Sequence, residues 1–252
     1  MRLFESYLTG RSQCVSVEGV LSELSELAYG VPQGSVLGPM AFCIYITPLG
    51  AILRHYKINY HIYADDIQLY CFFKTESLNE VFQRVTKCIS DIQSWMKINK
   101  LKINDDKTEL LIISSPRAKF STAIPLCVGQ VEILPSSACK SLGVMLDKHM
   151  DMDKQIKSVC RSTMYHVRNI SAIRHLIPES AVAKLVHSLV TSRLDYCNSL
   201  LYGLTDCTIK QLQRIQNTAA RVVTLAPCTP QHHITEVLKD LHWFACEEKS
   251  DI

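Results

Sequence analysis

The apolar residues of this chain change their spacing close to residue 153, and this change most constrains the fold. Before it, apolar residues alternate over 57–73 on both sides of Asp65-Asp66, which predicts a hairpin with two carboxylates at its tip. An apolar stripe with helical spacing follows over 79–98, and the segment 77–80 predicts a capping box at its start. The stripe predicts a helix that packs against a sheet containing the hairpin.

Shorter apolar patterns predict the remaining strands and helices. Apolar runs predict strands at 110–113 and 141–146, and the runs on either side of Gly129-Gln130 predict a second hairpin. After residue 153 only helical spacing remains, in three stripes that start at Ile156, Val182 and Ile209. The sequence therefore predicts an α+β part followed by a small all-helical bundle.

The basic residues concentrate in the helical part. Ten basic and three acidic residues lie from Lys154 to Arg221, a local net charge of +7 in a chain whose total is +3. Such a segment predicts a surface for the phosphate backbone of a nucleic acid, although a solvated helix face gives the same pattern. Hydrophobic residues make up 47% and charged residues 20% of the chain, which excludes collagen, a coiled coil and wholesale disorder.

An uncharged stretch runs from Leu27 to Leu53. Prolines and glycines interrupt it before any run reaches the ~18 apolar residues that a membrane helix needs. The stretch therefore predicts a buried loop, helix and loop, and no transmembrane segment.

The cysteines favour an intracellular protein. They number eleven, their spacing is irregular, and the first residues lack an apolar signal core. We therefore expect reduced thiols in a protein that is not secreted. A zinc site is the alternative for one C-terminal set, Cys228, His232, His233, His242 and Cys246, but the spacing fits no standard zinc site.

Asp65-Asp66 is the first candidate for chemistry. Two adjacent carboxylates repel each other unless a cation binds there, and hard oxygen ligands suit Mg²⁺. Because successive strand residues point to opposite faces, at most one of the two can be a central ligand without a local bend. A plain acidic turn is the alternative, since Asp is favoured in turns.

The segment 30–39 is the second candidate. Three glycines and two prolines in ten residues predict a shaped loop where the backbone can approach a ligand closely. Ser35 is a candidate cap for the helix that follows. The loop matches neither standard glycine-rich phosphate-binding pattern, so by itself it assigns no ligand.

These segments follow one another in an order that resembles the reverse transcriptases of non-LTR (LINE-type) retrotransposons. The chain has GVPQGSVLGP at 30–39, YADD at 63–66, WMxxNKLKINxxKTE at 95–109 and KSLGVMLD at 140–147. Residues 3–13 and 214–221 are also similar to that family, so the resemblance covers nearly the whole chain.

The resemblance implies part of a right-hand polymerase. A partial palm, an antiparallel sheet with packing helices, would occupy 1–150, a basic helical thumb 151–228 and a C-terminal tail 229–252. The implied activity is RNA-directed DNA polymerisation by nucleotidyl transfer with two Mg²⁺ ions, with Mn²⁺ as an alternative ion. The implied partners are an RNA template, a DNA primer and deoxynucleoside triphosphates, with no membrane, and the sequence identifies no specific protein partner.

The resemblance also implies roles for particular residues. Asp65 would be the principal metal ligand and Asp66 its companion, and Lys107 would be a third catalytic residue, near the triphosphate. The residues lining the incoming nucleotide, template base or primer end would be Pro32, Gln33, Gly34 and Tyr63. The primer grip would contain Leu142, Gly143 and Val144.

The sequence departs from the family at one metal ligand. Members carry a further metal-binding Asp in a Phe-Asp context some tens of residues before the glycine loop, whereas only 29 residues precede Gly30 here and none is Asp. We therefore expect a truncated segment, without fingers and first catalytic Asp, that is inactive as it stands. A non-catalytic nucleic-acid-binding remnant and an intron-encoded splicing relative are the alternative functions.

Overall fold

A computed structural model of the chain describes residues 2–118, 125–129, 131–227, 233–243 and 246. Helices and strands are mixed in it, as the sequence predicts. The chain forms two compact units, Met1–Asp105 with Cys127–Val131 and Asp106–Leu126 with Glu132–Ile252. The division into palm, thumb and tail at residues 150 and 228 stays a prediction.

The first unit contains the predicted hairpin. Its helices are α1 (Arg2–Leu8), α2 (Gly38–Ile46), α3 (Leu49–His55) and α4 (Leu78–Ile98). Its strands are β1 (Ser12–Gln13), β2 (Ser16–Val17), β3 (Val20–Leu21), β4 (Ser25–Glu26), β5 (Asn59–Tyr63) and β6 (Asp66–Tyr70). Antiparallel pairs join β1 to β4, β2 to β3 and β5 to β6, so the hairpin around Asp65-Asp66 is confirmed.

Helix α4 shares a core with the hairpin, as its apolar spacing predicts. The buried members of this core are Ile46, Leu49, Leu53, Ile58, Cys88, Ile92 and Met96. Ile62, Ile67 and Leu69 of the hairpin pack against them, as do Val85 and Trp95 of α4. Because the apolar residues of β5 face this core, the alternate residues Asn59, His61 and Tyr63 are exposed.

The predicted capping box does not form. Helix α4 begins at Leu78, and the hydroxyl of Ser77 accepts from the backbone N–H of Lys74 at 3.3 Å and donates to the carbonyl oxygen of Lys74 at 3.0 Å instead of capping the helix. A 3₁₀ turn, Thr75–Ser77, precedes α4 and gives Ser77 a φ of −97° and a ψ of 7°, whereas an N-cap residue is typically extended. The turn therefore takes the hydroxyl that the sequence pattern assigned to the helix.

The prediction that the uncharged stretch is buried is wrong for most of its length and confirmed at its end, where Ile46, Leu49 and Leu53 are core residues. Val36 is 94%, Met40 57% and Ile44 62% exposed. Helix α2 is apolar on almost every side, so it has no single stripe that directs one face to the core. Gly38 and Ile46, near its two ends, are its buried residues.

Short strands follow in the chain: β7 (Leu110–Leu111), β8 (Leu126–Val128), β9 (Val131–Ile133), β10 (Pro135–Ser136), β11 (Ala138–Ser141) and β12 (Val144–Asp147). The predicted second hairpin is present as β8 and β9, although Gln130 lies outside the described residues. β7 pairs with β10 in parallel and β11 with β12 in antiparallel fashion. Every sheet among the described residues is two-stranded.

The prediction of one continuous strand at 141–146 is wrong. Leu142 and Gly143 have φ angles of 45° and 89°, and they turn β11 back onto β12. Two consecutive residues with positive φ make the tight turn that joins antiparallel strands. The segment is therefore a hairpin centred on Leu142-Gly143.

The second unit contains the bundle. Its helices are α5 (Asp153–Ile173), α6 (Glu179–Val186), α7 (Ser192–Asp195), α8 (Asp206–Thr224) and α9 (Ile234–Asp240). The three predicted stripes correspond to α5, α6 and α8, whose buried residues include Ile156, Val167, Val182, Leu212, Ile215 and Val223. Val144 and Leu146 of β12 pack into the same core, so the β11–β12 hairpin is anchored on the bundle.

Arg174 connects the ends of two helices in this bundle. Its guanidinium donates to the carbonyl oxygens of Val222 and Val223 at 2.9 Å each, and to that of Ile177 at 3.2 Å. The last carbonyl oxygens of a helix have no partner within the helix, and a cation there also interacts favourably with the negative end of the helix dipole. Arg174 therefore closes the C-terminal end of α8.

Two remaining expectations concern reduced thiols and transmembrane segments. The cysteines of the described residues are free thiols, and Cys228 lies outside those residues. Burial, with smaller effects of Asp91 and Cys71, raises the pKa of Cys88 to about 11. Of the helices that the structure describes, none is long and apolar enough to cross a membrane.

Candidate functional site

The two candidate carboxylates lie where β5 turns back into β6. Tyr63 pairs with Asp66 across the hairpin, so Ala64 and Asp65 form a two-residue turn. Ala64 has a φ of 51°, a left-handed conformation that is uncommon for residues other than glycine. Such conformations cluster at functional sites, because the surrounding structure has to hold them in place. The turn supplies a local bend of the kind that two adjacent ligands need.

Asp65 and Asp66 are exposed, and within the described part of the chain neither side chain has a hydrogen-bond or ion-pair partner. Their oxygens are thus available to a cation. One or two carboxylates plus substrate phosphates are the usual protein contribution to a Mg²⁺ site. Among the described residues no three His, Cys, Asp or Glu side chains gather into a metal site. The donor set therefore fits one part of a Mg²⁺ site.

The exposed face of the hairpin is aromatic beside these carboxylates. Tyr63 is 69% exposed and lies opposite Asp66. Further along this face, the rings of His61 and Tyr70 stack with centroids 5.4 Å apart and planes 15° apart. Alternation in the sequence indicates which residues share this face, but it does not indicate that the two rings stack.

Ser35 shapes the loop that contains Pro32, Gln33 and Gly34. Its hydroxyl donates to the carbonyl oxygen of Pro32 at 2.7 Å and shares a hydrogen bond with the hydroxyl of Tyr7. Ser35 does not cap α2, so that prediction is wrong. The N-cap position is Leu37, whose side chain has no hydrogen-bonding atom, and Ser35 lies two residues before it in the loop.

Gly38 is buried behind the same serine. A Cβ atom at this position would lie 2.9 Å from Ser35 Oγ and 3.5 Å from the carbonyl oxygen of Pro32, so a larger residue would displace the loop. Gly34 has a φ of 80°, which favours glycine. Pro32, Gln33 and Gly34 are all exposed, so this part of the loop is accessible to a ligand.

The remaining predicted site residues belong to the second unit. Lys107 is exposed at the end of a 3₁₀ turn, Asp105–Lys107. Leu142 is 41% exposed, whereas Val144 is only 4% exposed because it packs into the bundle core. The structure thus presents Leu142 and Gly143 on a turn and anchors Val144 beneath it.

Helix α5 gathers part of the positive charge onto one face. Lys154, Lys157, Arg161, Tyr165 and Arg168 are spaced by three or four residues, so they share the side of the helix opposite its buried residues. We call these five residues the α5 basic face. All five are exposed, and Lys157 pairs with Asp153 at 3.2 Å.

The α5 basic face combines cations with an aromatic ring. Tyr165 is 62% exposed between Arg161 and Arg168. Exposed aromatic rings among basic residues are used to stack bases, while the cations contact phosphates. The sequence spacing of Tyr165 relative to the basic residues already indicates this combination, whereas a count of charges does not include the tyrosine.

The alternative zinc set is not assembled in the described residues. Cys246 is 8% exposed, and its thiol lies 3.4 Å from Oε1 of Gln216, to which it donates. Cys228 and His232 lie outside the described residues.

Comparison with known proteins identifies similar chains. The family model described as reverse transcriptase (RNA-dependent DNA polymerase) matches residues 2–146. A probable RNA-directed DNA polymerase from the transposon X-element of Drosophila melanogaster is 25% identical over 88% of this chain and 24% of its own length. The corresponding protein from the transposon BS of the same species is 26% identical over 98% of this chain and 28% of its own length.

A third relative extends the same pattern. The RNA-directed DNA polymerase from the mobile element jockey of Drosophila funebris is 25% identical over 90% of this chain and 25% of its own length. The chain thus spans about a quarter of the length of the curated relatives that it matches. No solved structure matches it.

Proposed function

Since this chain belongs to the reverse transcriptase family, we propose that it is a segment of an RNA-directed DNA polymerase from a LINE-type transposable element. One observation carries the proposal furthest: Asp65 and Asp66 lie at a hairpin turn with no partner in the described part of the chain. Two adjacent unpaired carboxylates provide the hard oxygen ligands that Mg²⁺ prefers. The polymerase as a whole acts on an RNA template, a DNA primer and deoxynucleoside triphosphates.

Asp65 is the principal Mg²⁺ ligand in this proposal and Asp66 is its companion. When bound, the ions neutralise charge on the triphosphate and activate the primer 3′-hydroxyl, and Mn²⁺ would serve the same purpose. Tyr63 lies opposite Asp66 and would contact the primer end or the nucleotide. The loop containing Pro32, Gln33 and Gly34 would line the nucleotide and template base, and the exposure of these three residues supports this role.

The second unit supplies the remaining roles. Lys107 would contact the triphosphate, and Leu142, Gly143 and Val144 would form the primer grip. The α5 basic face would contact the phosphate backbone, as part of a helical thumb. This role is supported by the four exposed cations that lie on one side of α5.

We expect these 252 residues alone to polymerise DNA poorly. Two-metal phosphoryl transfer needs ligands on both ions, and no third acidic ligand gathers beside Asp65 and Asp66 in the described residues. Weak binding of the ions removes electrostatic stabilisation from the transition state, which costs at least about a hundredfold in rate. An upstream segment with the further metal-binding Asp of the family would complete the fold and the set of metal ligands.

Primer extension on an RNA template tests this function. The 252-residue chain is compared with a longer chain in which the upstream segment of the X-element relative precedes it. We expect Mg²⁺-dependent extension by the longer chain only. If the longer chain folds and binds primed template without adding nucleotides, the polymerase assignment is wrong.

A non-catalytic nucleic-acid-binding segment is the second candidate, and the α5 basic face is the observation that favours it. This candidate predicts binding to primed template without nucleotide addition, whatever segment precedes the chain. The extension assay therefore separates the two functions.

A further inference from the structure

The turn between β11 and β12 adopts a conformation that its own residues do not favour. Leu142 has a φ of 45°, and leucine rarely takes positive φ. Gly143 follows with a φ of 89°. Contacts from outside the turn therefore have to select this conformation over the alternatives.

Tyr196, which lies 54 residues further along the chain, makes such contacts. Its hydroxyl donates to the carbonyl oxygen of Leu142 at 2.6 Å. Its ring lies against Gly143, where an added Cβ atom would be 3.5 Å from Cε1 of the tyrosine. One side chain thus fixes both residues of the turn, and Tyr196 remains 53% exposed on its other side.

The strand that leaves the turn is held by separate contacts. Val144 is buried in the bundle core, and the backbone N–H of Met145 donates to Oε1 of Gln155 on α5 at 2.9 Å. These contacts fix β12 but touch neither Leu142 nor Gly143. The shape of the turn therefore depends on Tyr196, while the position of the strand does not.

The helix before Tyr196 contains an irregularity that places this residue. A π-helical turn, His187–Thr191, separates α6 from α7. A π turn inserts one residue, so the side chains after it are rotated by about 100° relative to an uninterrupted α-helix. Chain direction then changes at Tyr196 itself, which is extended with a φ of −65° and a ψ of 117°. Together these features direct Tyr196 onto the hairpin.

We propose that Tyr196 is a positioning residue for the primer strand, acting through the Leu142-Gly143 turn. The inference rests on the proposed function, in which this turn is part of the primer grip. Tyr196 holds the Leu142 carbonyl and the exposed Leu142 side chain in one orientation, and this orientation determines where the primer end lies. Removing the hydroxyl leaves the ring and the bundle core in place.

Photocrosslinking measures this effect. A DNA primer with a diazirine-bearing nucleotide at its 3′ terminus, whose carbene inserts into C–H bonds, is annealed to an RNA template and irradiated with the 252-residue chain. For each variant, two quantities are measured: the yield of crosslinks to the peptide containing residues 142–144, and the dissociation constant of the same duplex. Each quantity is compared with its value for the parent chain. Tyr196→Phe removes the hydrogen bond, and Tyr202→Phe is the control, because Tyr202 is 71% exposed and its hydroxyl has no partner among the described residues.

We expect Tyr196→Phe to lower the crosslink yield at the turn about fivefold, the effect of one hydrogen bond, while duplex affinity changes less than twofold. Gly143→Ala disturbs the same turn independently, since alanine disfavours a φ of 89°, and should lower the yield as well. The control should match the parent chain.

Two results overturn the inference and are distinguishable. Equal crosslink yields for the parent chain and Tyr196→Phe would show that the turn does not depend on Tyr196, while the primer-grip assignment stands. Duplex binding without any crosslink at residues 142–144 in the parent chain would refute that assignment, and the role of Tyr196 with it.

Discussion

Neutralising the α5 basic face should reduce the salt dependence of nucleic-acid binding. The perturbation is a fourfold variant, Lys154→Gln, Lys157→Gln, Arg161→Gln and Arg168→Gln. Glutamine has nearly the helix propensity of lysine and arginine, so α5 should remain folded. The ion pair between Lys157 and Asp153 is lost, but both side chains are more than half exposed, so this loss costs less than about 1 kcal/mol.

The magnitude follows from the helix geometry. Lys154 and Arg168 are 14 residues apart, a rise of about 21 Å along the axis. Such a length covers about six nucleotides of one strand, at 3.4 Å per nucleotide. If each of the four cations contacts a phosphate, together they contribute about −3.6 to the slope of log K against log salt for B-form DNA. Between 50 and 200 mM salt, this contribution lowers affinity about 150-fold.

Fluorescence anisotropy of a labelled primed duplex, titrated at several salt concentrations, measures the slope. The charge-matched control is Lys74→Gln, Lys87→Gln, Lys97→Gln and Lys102→Gln, which removes four exposed cations from the first unit. We expect the slope to become less negative by about 3.6 in the α5 variant and by less than about 1 in the control. Equal changes in both variants would show that net charge alone drives binding, and an unchanged slope in the α5 variant would refute the assignment of this face.

Three further predictions concern groups that are buried or half-buried. Arg174→Gln should lower the free energy of unfolding by about 3 kcal/mol, because it removes charged hydrogen bonds to three carbonyl oxygens, and urea denaturation measures this loss. Leu212→Ala should cost about 2 to 5 kcal/mol in the same assay, since Leu212 is 2% exposed, whereas Leu200→Ala, at a 41% exposed position, should cost far less. Iodoacetamide at pH 8 should modify Cys88 long after the exposed Cys207. The labelling rate of Cys88 should rise up to about pH 11, because a thiol with a raised pKa forms its reactive thiolate only at higher pH. Early labelling of Cys88 would contradict its burial.

The sequence predicts those parts of the fold that periodicity determines. The β5–β6 hairpin and α4 were predictable because alternating and helical spacings differ clearly there. The bundle helices were predictable for the same reason. The exposure of α2 was not, because a helix that is apolar on almost every side gives no periodic signal for which face is buried.

The site was predictable only in its residues, not in its contacts. Asp65 and Asp66 stand out as adjacent acidic residues between two strands, but the left-handed Ala64 that bends their turn has no signal in the sequence. Ser35 was assigned to the wrong partner, because α2 starts only at Gly38 and Ser35 lies in the preceding loop, where its hydroxyl donates to the carbonyl oxygen of Pro32. Tyr196 was missed because the residue that it contacts, Leu142, is 54 residues away and takes a conformation unusual for leucine.

The rate of single-nucleotide addition tests the central claim most directly, namely that the hairpin carboxylates hold the catalytic ions. The measurement uses the longer chain with the upstream segment of the X-element relative, on a primed RNA template with Mg²⁺, and compares Asp65→Ala with Glu80→Ala. Glu80 is an exposed carboxylate on α4 of the same unit, so its removal controls for a general loss of negative charge. The account predicts a loss of at least about a hundredfold for Asp65→Ala, because the metal-bound transition state loses its principal ligand, and less than twofold for Glu80→Ala. Addition at the parent rate by a folded Asp65→Ala chain would contradict the account.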